Sequence, residues 1–162
     1  MHLPRRQRGG YFPVDAAAPR PLIVRLQHRI RFSDVDPMAV LWHGRYMHLF
    51  EQANEELGRL CGMGYTDFRR ARLAAPIVQL HVDYFAPVLL SELVTITGKM
   101  IWSPGARINI EYEIHKENGA LSATGYTVQM FIDEEGVPLM AEPAVLEACR
   151  KRWCAGELGG QA

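Results

Sequence analysis

The chain has 162 residues and a mass of 18.3 kDa, enough for one well-buried core and short for two. With 48% hydrophobic and 22% charged residues it excludes a disordered or fibrous middle, and its formal charge of zero argues against nucleic acid, which needs Lys and Arg gathered on one face. Cys61, Cys149 and Cys154 lack C-x-x-C spacing, the His residues lack ligand spacing, and no apolar run approaches the ~20 residues of a membrane span, so the expectation is a cytoplasmic chain without metal, disulfide framework or membrane partner.

Residues 1–20 carry three Pro, the Gly9-Gly10 pair, an Ala triplet and the only basic cluster, Arg5, Arg6 and Arg8. Without periodicity they are predicted to be a mobile arm, with no secretory apolar segment, and its removal up to residue 18 is expected to leave assembly intact. The folded domain is placed at 21–141. It opens on IVRLQHRIRF, an alternating strand with Val24, Leu26, Ile30 and Phe32 turned mostly to one face.

The next stretch, FSDVDPMAVLWHGRYMHLFE, sets two acidic residues, a Pro, an apolar run and a His directly before an amphipathic helix. Apolar Tyr46, Phe50, Ala53, Leu57, Leu60 and Cys61 recur at helical spacing up to Gly62, and Glu55 and Arg59 stand at i, i+4. No Ser, Thr, Asn or Asp stands immediately before Gly44, so the first-turn N–H groups are left for another acceptor. A carboxylate such as Asp36 beside such donors can act as base or nucleophile while they polarise a carbonyl oxygen, which suits acyl transfer.

TDFRRAR is predicted to form a short helical turn, followed by four strands, IVQLHVDYF, ELVTITGKMIW, ARINIEYEIH and SATGYTVQMFI, punctuated by Ser103-Pro104-Gly105, Asn118-Gly119 and Glu134-Glu135-Gly136. A short helix opening at Pro143 is expected in a C-terminal extension, 142–162, whose last residues from Gly156 fray. One long helix and five antiparallel strands with a single apolar face give an α+β domain in which the sheet wraps the helix.

Asp34, Asp36, Pro37, Val40, Leu41, Trp42 and His43 together resemble the active-site segment of the hot-dog-fold acyl-CoA thioesterases of the 4-hydroxybenzoyl-CoA thioesterase type. The resemblance spans residues 23–140, is specific between Asp34 and Glu51, and is generic in the strands. It implies the hot-dog fold, one long helix wrapped by a five-stranded antiparallel sheet, in a homodimer or homotetramer with active sites between protomers. It also implies hydrolysis of an acyl or aroyl thioester of coenzyme A or an acyl carrier, with coenzyme A as part of the substrate and no separate cofactor.

By the same resemblance Asp36 is nucleophile or general base, and the His43 backbone N–H polarises the thioester carbonyl. Asp34, Trp42 and Glu51 are supporting residues: Asp34 holds the loop, and Glu51 occupies a helix where a related subfamily keeps a catalytic carboxylate. The chain departs from the pattern at Ala39, where relatives usually carry Gly, which bears on the loop and the acyl pocket. Arg69, Arg70, Arg72, Lys99 and Lys116 are candidates for the coenzyme A phosphates by charge alone. The alternative function is a non-catalytic hot-dog protein that binds acyl-CoA or an acyl carrier; a hydratase would need a His five residues after its Asp, and position 41 is Leu.

Overall fold

The computed structural model describes residues 10–13 and 15–158. Arg5, Arg6, Arg8 and the final residues of the expected fraying tail lie outside the described residues. The alternating first segment forms β1, Leu22–Arg29, and the amphipathic stretch forms a 3-10 turn, His43–Arg45, running into α1, Tyr46–Cys61. Gly62, at φ 71°, ends α1 in the left-handed conformation that glycine adopts most cheaply. A short helix α2, Tyr65–Ala71, leads to β2, Ile77–Tyr84, β3, Leu93–Ile101, β4, Arg107–Lys116, β5, Leu121–Met130, and α3, Ala144–Cys154.

The sheet is antiparallel throughout and ordered β1-β3-β4-β5-β2, so the strand following the helices becomes an edge while the three C-terminal strands fill the middle. α1 lies on its inner face with Phe50, Ala53 and Leu57 fully buried, and the Phe50 ring stacks on Tyr112 with centroids 4.4 Å apart. Two glycines make the close approach possible: a Cβ on Gly98 would fall 2.9 Å from that of Ala53, and one on Gly125 2.7 Å from the Phe50 ring. This is the expected hot-dog arrangement. Truncation in its middle, Leu57→Ala, is expected to cost about 2–5 kcal/mol through lost burial and an unfilled cavity.

Two local expectations are corrected. Phe32 is 84% exposed, because β1 stops at Arg29 and a 3-10 turn, Phe32–Asp34, carries the chain off the inner face that Ile30 still occupies. Arg59 pairs at 2.7 Å with Glu56 rather than Glu55, an exposed contact one residue closer along the same helix. In the described part of the N-terminal arm, Tyr11 and Phe12 pack on the outer face of the sheet against Tyr126.

α3 starts after Pro143, as expected, and closes the β3–β4 end of the domain. Arg150 donates to the Ser103 and Gly105 carbonyls and pairs with Glu142, while the Trp153 ring meets Trp102 edge-on and its Nε1–H donates to the Arg20 carbonyl. Cys61 and Cys149 are both buried at the contact of α3 with the end of α1. The bond to the Cys149 thiol, with burial, pushes the Cys61 thiol up, which keeps it an inert packing group.

Candidate active site

Residues 34–42 fold back on themselves as a small hairpin. The Asp36 N–H donates to the Val40 carbonyl at 2.8 Å, the Trp42 N–H donates to the Asp34 carbonyl at 2.9 Å, and Val35 bridges Leu41 between them. Outside contacts hold it in place: the Leu41 N–H donates to the Val88 carbonyl and the Leu90 N–H to the Ala39 carbonyl. The acidic and apolar residues of the sequence motif therefore share one rigid element immediately before α1.

Asp36 uses its two carboxylate oxygens differently. Oδ1 accepts the N–H groups of Met38 at 2.9 Å and Val40 at 3.2 Å, the Asx pattern that organises the turn. Oδ2 has no donor among the described residues, which leaves it for a substrate or a water. One oxygen thus aims the other.

The same turn contains Ala39 at φ 60°, a left-handed conformation that costs a non-glycine residue roughly 1–2 kcal/mol. The departure from Gly read in the sequence is thus a strained position whose geometry is retained, because the hairpin and the loop at Leu90 both fix it. Ala39→Gly is expected to raise unfolding stability by about 1 kcal/mol, since relief of strain exceeds the added freedom of the unfolded chain. Denaturant unfolding at equal m-value checks this, and a loss of stability would contradict it.

Asp34 holds the base of the hairpin. Its Oδ2 accepts the Arg31 N–H at 2.9 Å and lies 3.3 Å from His28 Nε2, and its Oδ1 lies 4.0 Å from Arg45 Nε. Burial raises the Asp34 carboxyl, but the Arg31 N–H, the bond to His28 and the charges of His28 and Arg45 outweigh it and hold the group below its ordinary 3.8. A depressed carboxylate contributes stability above its unfolded value and loses it as pH falls through the folded one. Asp34→Asn should therefore lower stability at neutral pH and remove part of the acid limb below about pH 4 in a stability–pH profile. An unchanged acid limb would contradict that role.

His43 opens the 3-10 turn, and among the described residues its N–H has no acceptor. Neither Trp42 before the turn nor Arg45 before α1 makes a side-chain cap, in line with the missing N-cap in the sequence. Trp42 is 47% exposed, with its ring 5.0 Å from that of His43. Tyr84 is an addition that sequence spacing did not reveal: its hydroxyl donates to the His43 carbonyl at 3.4 Å and its ring meets Tyr46 edge-on. It comes from the far end of β2 and has no local signal.

Glu51 stands apart from this hairpin, on the wall of a cleft of about 910 Å³ between α1, α2 and the start of β2. Asp36, Trp42 and His43 do not line that cleft. Asn54 Nδ2–H and the Tyr65 hydroxyl donate to the Glu51 carboxylate, and Gln129 donates to Asn54 Oδ1. The bond to Glu51 pushes the Tyr65 hydroxyl up to about 12. Met63, Phe68, Leu73, Met100, Ile108 and Ile132 make the rest of the wall largely apolar.

Of the five basic candidates, Lys99, Lys116, Arg70 and Arg72 lie beside Glu113, Glu92, Asp67 and Glu134 respectively, at 2.5–4.0 Å. Arg69 has no such partner among the described residues, and it borders the cleft.

Comparison with known proteins agrees with this architecture. The model of the thioesterase-like superfamily matches residues 30–149. The acyl-CoA thioesterase YbgC of Haemophilus influenzae is 28% identical over 95 residues, 58% of this chain and 70% of that protein. The 1,4-dihydroxy-2-naphthoyl-CoA hydrolase of Crocosphaera subtropica is 24% identical over 90 residues, 55% of this chain and 66% of that one. Among solved structures, the DHNA-CoA thioesterase of Staphylococcus aureus superposes with a TM-score of 0.73 at 26% identity, covering 86% of this chain and 97% of that chain.

Proposed function

The chain belongs to the thioesterase-like superfamily, and from that premise we propose that it is a thioester hydrolase that cleaves acyl-CoA to a free acid and coenzyme A. The observation that carries the reading is the Asp36 carboxylate, anchored through one oxygen and, among the described residues, open at the other, on a hairpin that ends at a His43 N–H with no acceptor among those residues. The thioester carbonyl oxygen accepts that N–H. Asp36 Oδ2 then either attacks the carbonyl carbon, breaking the C–S bond to expel coenzyme A thiolate and leave an anhydride that water hydrolyses, or takes a proton from a water whose oxygen attacks the carbon and displaces the thiolate. In both routes the thiolate is protonated with the proton that water gives up. Protein groups and water suffice for both routes, with coenzyme A present only as part of the substrate, and the carboxylate before the helix supports a reading of the 4-hydroxybenzoyl-CoA type.

The unit of function is a homodimer. β2 is a sheet edge, and Ile77, Val78, Leu80, Tyr84 and Phe85 on and after it are exposed apolar residues that a second copy would cover. Antiparallel pairing of two such edges about a twofold sets the start of one strand beside the end of the other. Ile77 at the start borders the cleft, and Tyr84 at the end holds the His43 carbonyl, so each cleft opens beside the catalytic hairpin of the other copy. The acyl group enters that cleft. Three cysteines without a disulfide framework support a place in the cytoplasm. Among the described residues no helix is long and apolar enough to cross a membrane.

A panel of acyl-CoAs and aroyl-CoAs with a free-thiol readout tests the assignment. Thiol release that saturates with one acyl class supports hydrolysis and names the class. Saturable binding across the panel with no thiol released would replace the enzyme with an acyl-CoA-binding protein.

A further inference from the structure

The segment Gly10–Phe12 sits on the outer face of the sheet, opposite α1, and its contacts follow one row across three strands. Glu111 of β4 pairs in register with Tyr126 of β5, which pairs with His81 of β2. The Phe12 N–H donates to Glu111 Oε1 at 2.9 Å, the Phe12 ring meets Tyr126 edge-on at 5.2 Å, and the Tyr11 ring lies 5.1 Å from Tyr126 and 5.6 Å from His81. Two rungs further along, the register pair Asp83 and Thr124 is bridged by one atom: the Tyr11 hydroxyl donates to Asp83 Oδ2 at 2.7 Å and lies 2.5 Å from Thr124 Oγ1.

The strand that gains most from this bridge is β2. It is hydrogen-bonded on one side only, to β5, and its register with β5 shifts between Ile77 and Gln79. A bulge locally disrupts the ladder and bends its strand, and a bend in an edge strand alters the edge that a partner has to match. His81 lies beside the midpoint of Ile77–Tyr84, where a twofold that paired two antiparallel β2 edges along their full length would pass. The aromatic contacts therefore fall at the middle of the edge that has to stay flat.

We propose that Gly10–Phe12 is an intramolecular clasp that locks β2 onto β5 from the outer face and so presents the β2 edge to a second copy of this chain. The clasp rests on the β2-edge dimer proposed above. It reverses the expectation that the arm is dispensable for assembly: loop composition concealed two aromatic side chains whose partners lie far away in sequence. Assembly is then tuned by residues that need not touch the partner, because they set the shape of the strand that does.

The test compares four full-length proteins by sedimentation across a concentration series: wild type, Tyr11→Phe, the double variant Tyr11→Ala/Phe12→Ala, and the edge variant Val78→Lys. Circular dichroism first confirms that all four are folded. The expected order is a tight wild-type dimer, a few-fold weaker Tyr11→Phe, and a dissociation constant raised roughly tenfold or more in the double variant and in Val78→Lys. Hydrogen exchange at the β2 amides of monomeric protein should accelerate in the double variant and stay slow in Val78→Lys. If Val78→Lys dissociates while the double variant matches wild type in affinity and β2 exchange, the clasp is overturned and the edge dimer stands. If wild type is monomeric, or Val78→Lys leaves its dimer intact, the edge pairing itself fails and the clasp falls with it.

Discussion

Asp36→Asn is expected to lower kcat for thioester hydrolysis by roughly several hundredfold while leaving KM and unfolding stability nearly unchanged. The argument rests on how the two carboxylate oxygens are used. Asn retains an oxygen in the position of Oδ1, which can still accept the Met38 and Val40 N–H groups, so the hairpin has no reason to move. What changes is the open position: Oδ2 becomes an amide nitrogen, which neither attacks a carbonyl nor removes a proton from water. Asp36→Ala should be equally inactive but also less stable, by about 1–3 kcal/mol, because two turn amides lose their acceptor. The pair of variants thus separates chemistry from architecture, and a folded Asp36→Asn protein with wild-type turnover would remove Asp36 from the mechanism.

The parts of this molecule legible in its sequence are those set by short-range physics. The helical spacing of Tyr46, Phe50, Ala53 and Leu57 predicts a buried face because those side chains must share one side of any helix they form, and they line the core. The strands were equally readable from their β-branched runs and the turns between them. Phe32 was misplaced for the converse reason: alternation continues in the letters after Arg29, while the chain has already turned into the hairpin that carries Asp36. Periodicity reports which residues could share a face, and only the tertiary path decides where that face stops.

The hairpin that carries Asp36 was visible as a motif, while Ala39, read in the sequence as a departure that bears on the loop, instead keeps a left-handed turn at φ 60°. The cleft was not visible, because its wall is assembled from α1, α2, the start of β2 and the neighbouring strands, and its polar members Glu51, Tyr65, Asn54 and Gln129 meet across as many as 75 residues. Tyr84 and the Tyr11 contacts were hidden for the same reason. A residue whose role depends on a partner brought in by topology carries no local signature.

His43 allows the oxyanion assignment to be tested with the backbone instead of the side chain. If the N–H polarises the thioester carbonyl, His43→Ala keeps the donor and should retain most activity. His43→Pro deletes the donor and should reduce turnover by roughly 10²–10³, the usual cost of losing one preorganised donor to a developing oxyanion. Proline is often a destructive substitution, but three features make it tolerable here. Position 43 is the first residue of a helical turn, its N–H supports no hydrogen bond among the described residues, and Trp42 before it already sits at φ −63° and ψ 134°, the extended geometry that a following proline requires. Circular dichroism and oligomer size should therefore match wild type, so that lost turnover reports the missing donor. If His43→Ala instead proves as inactive as His43→Pro in folded protein, the imidazole is chemically engaged and the carbonyl must be polarised by another group.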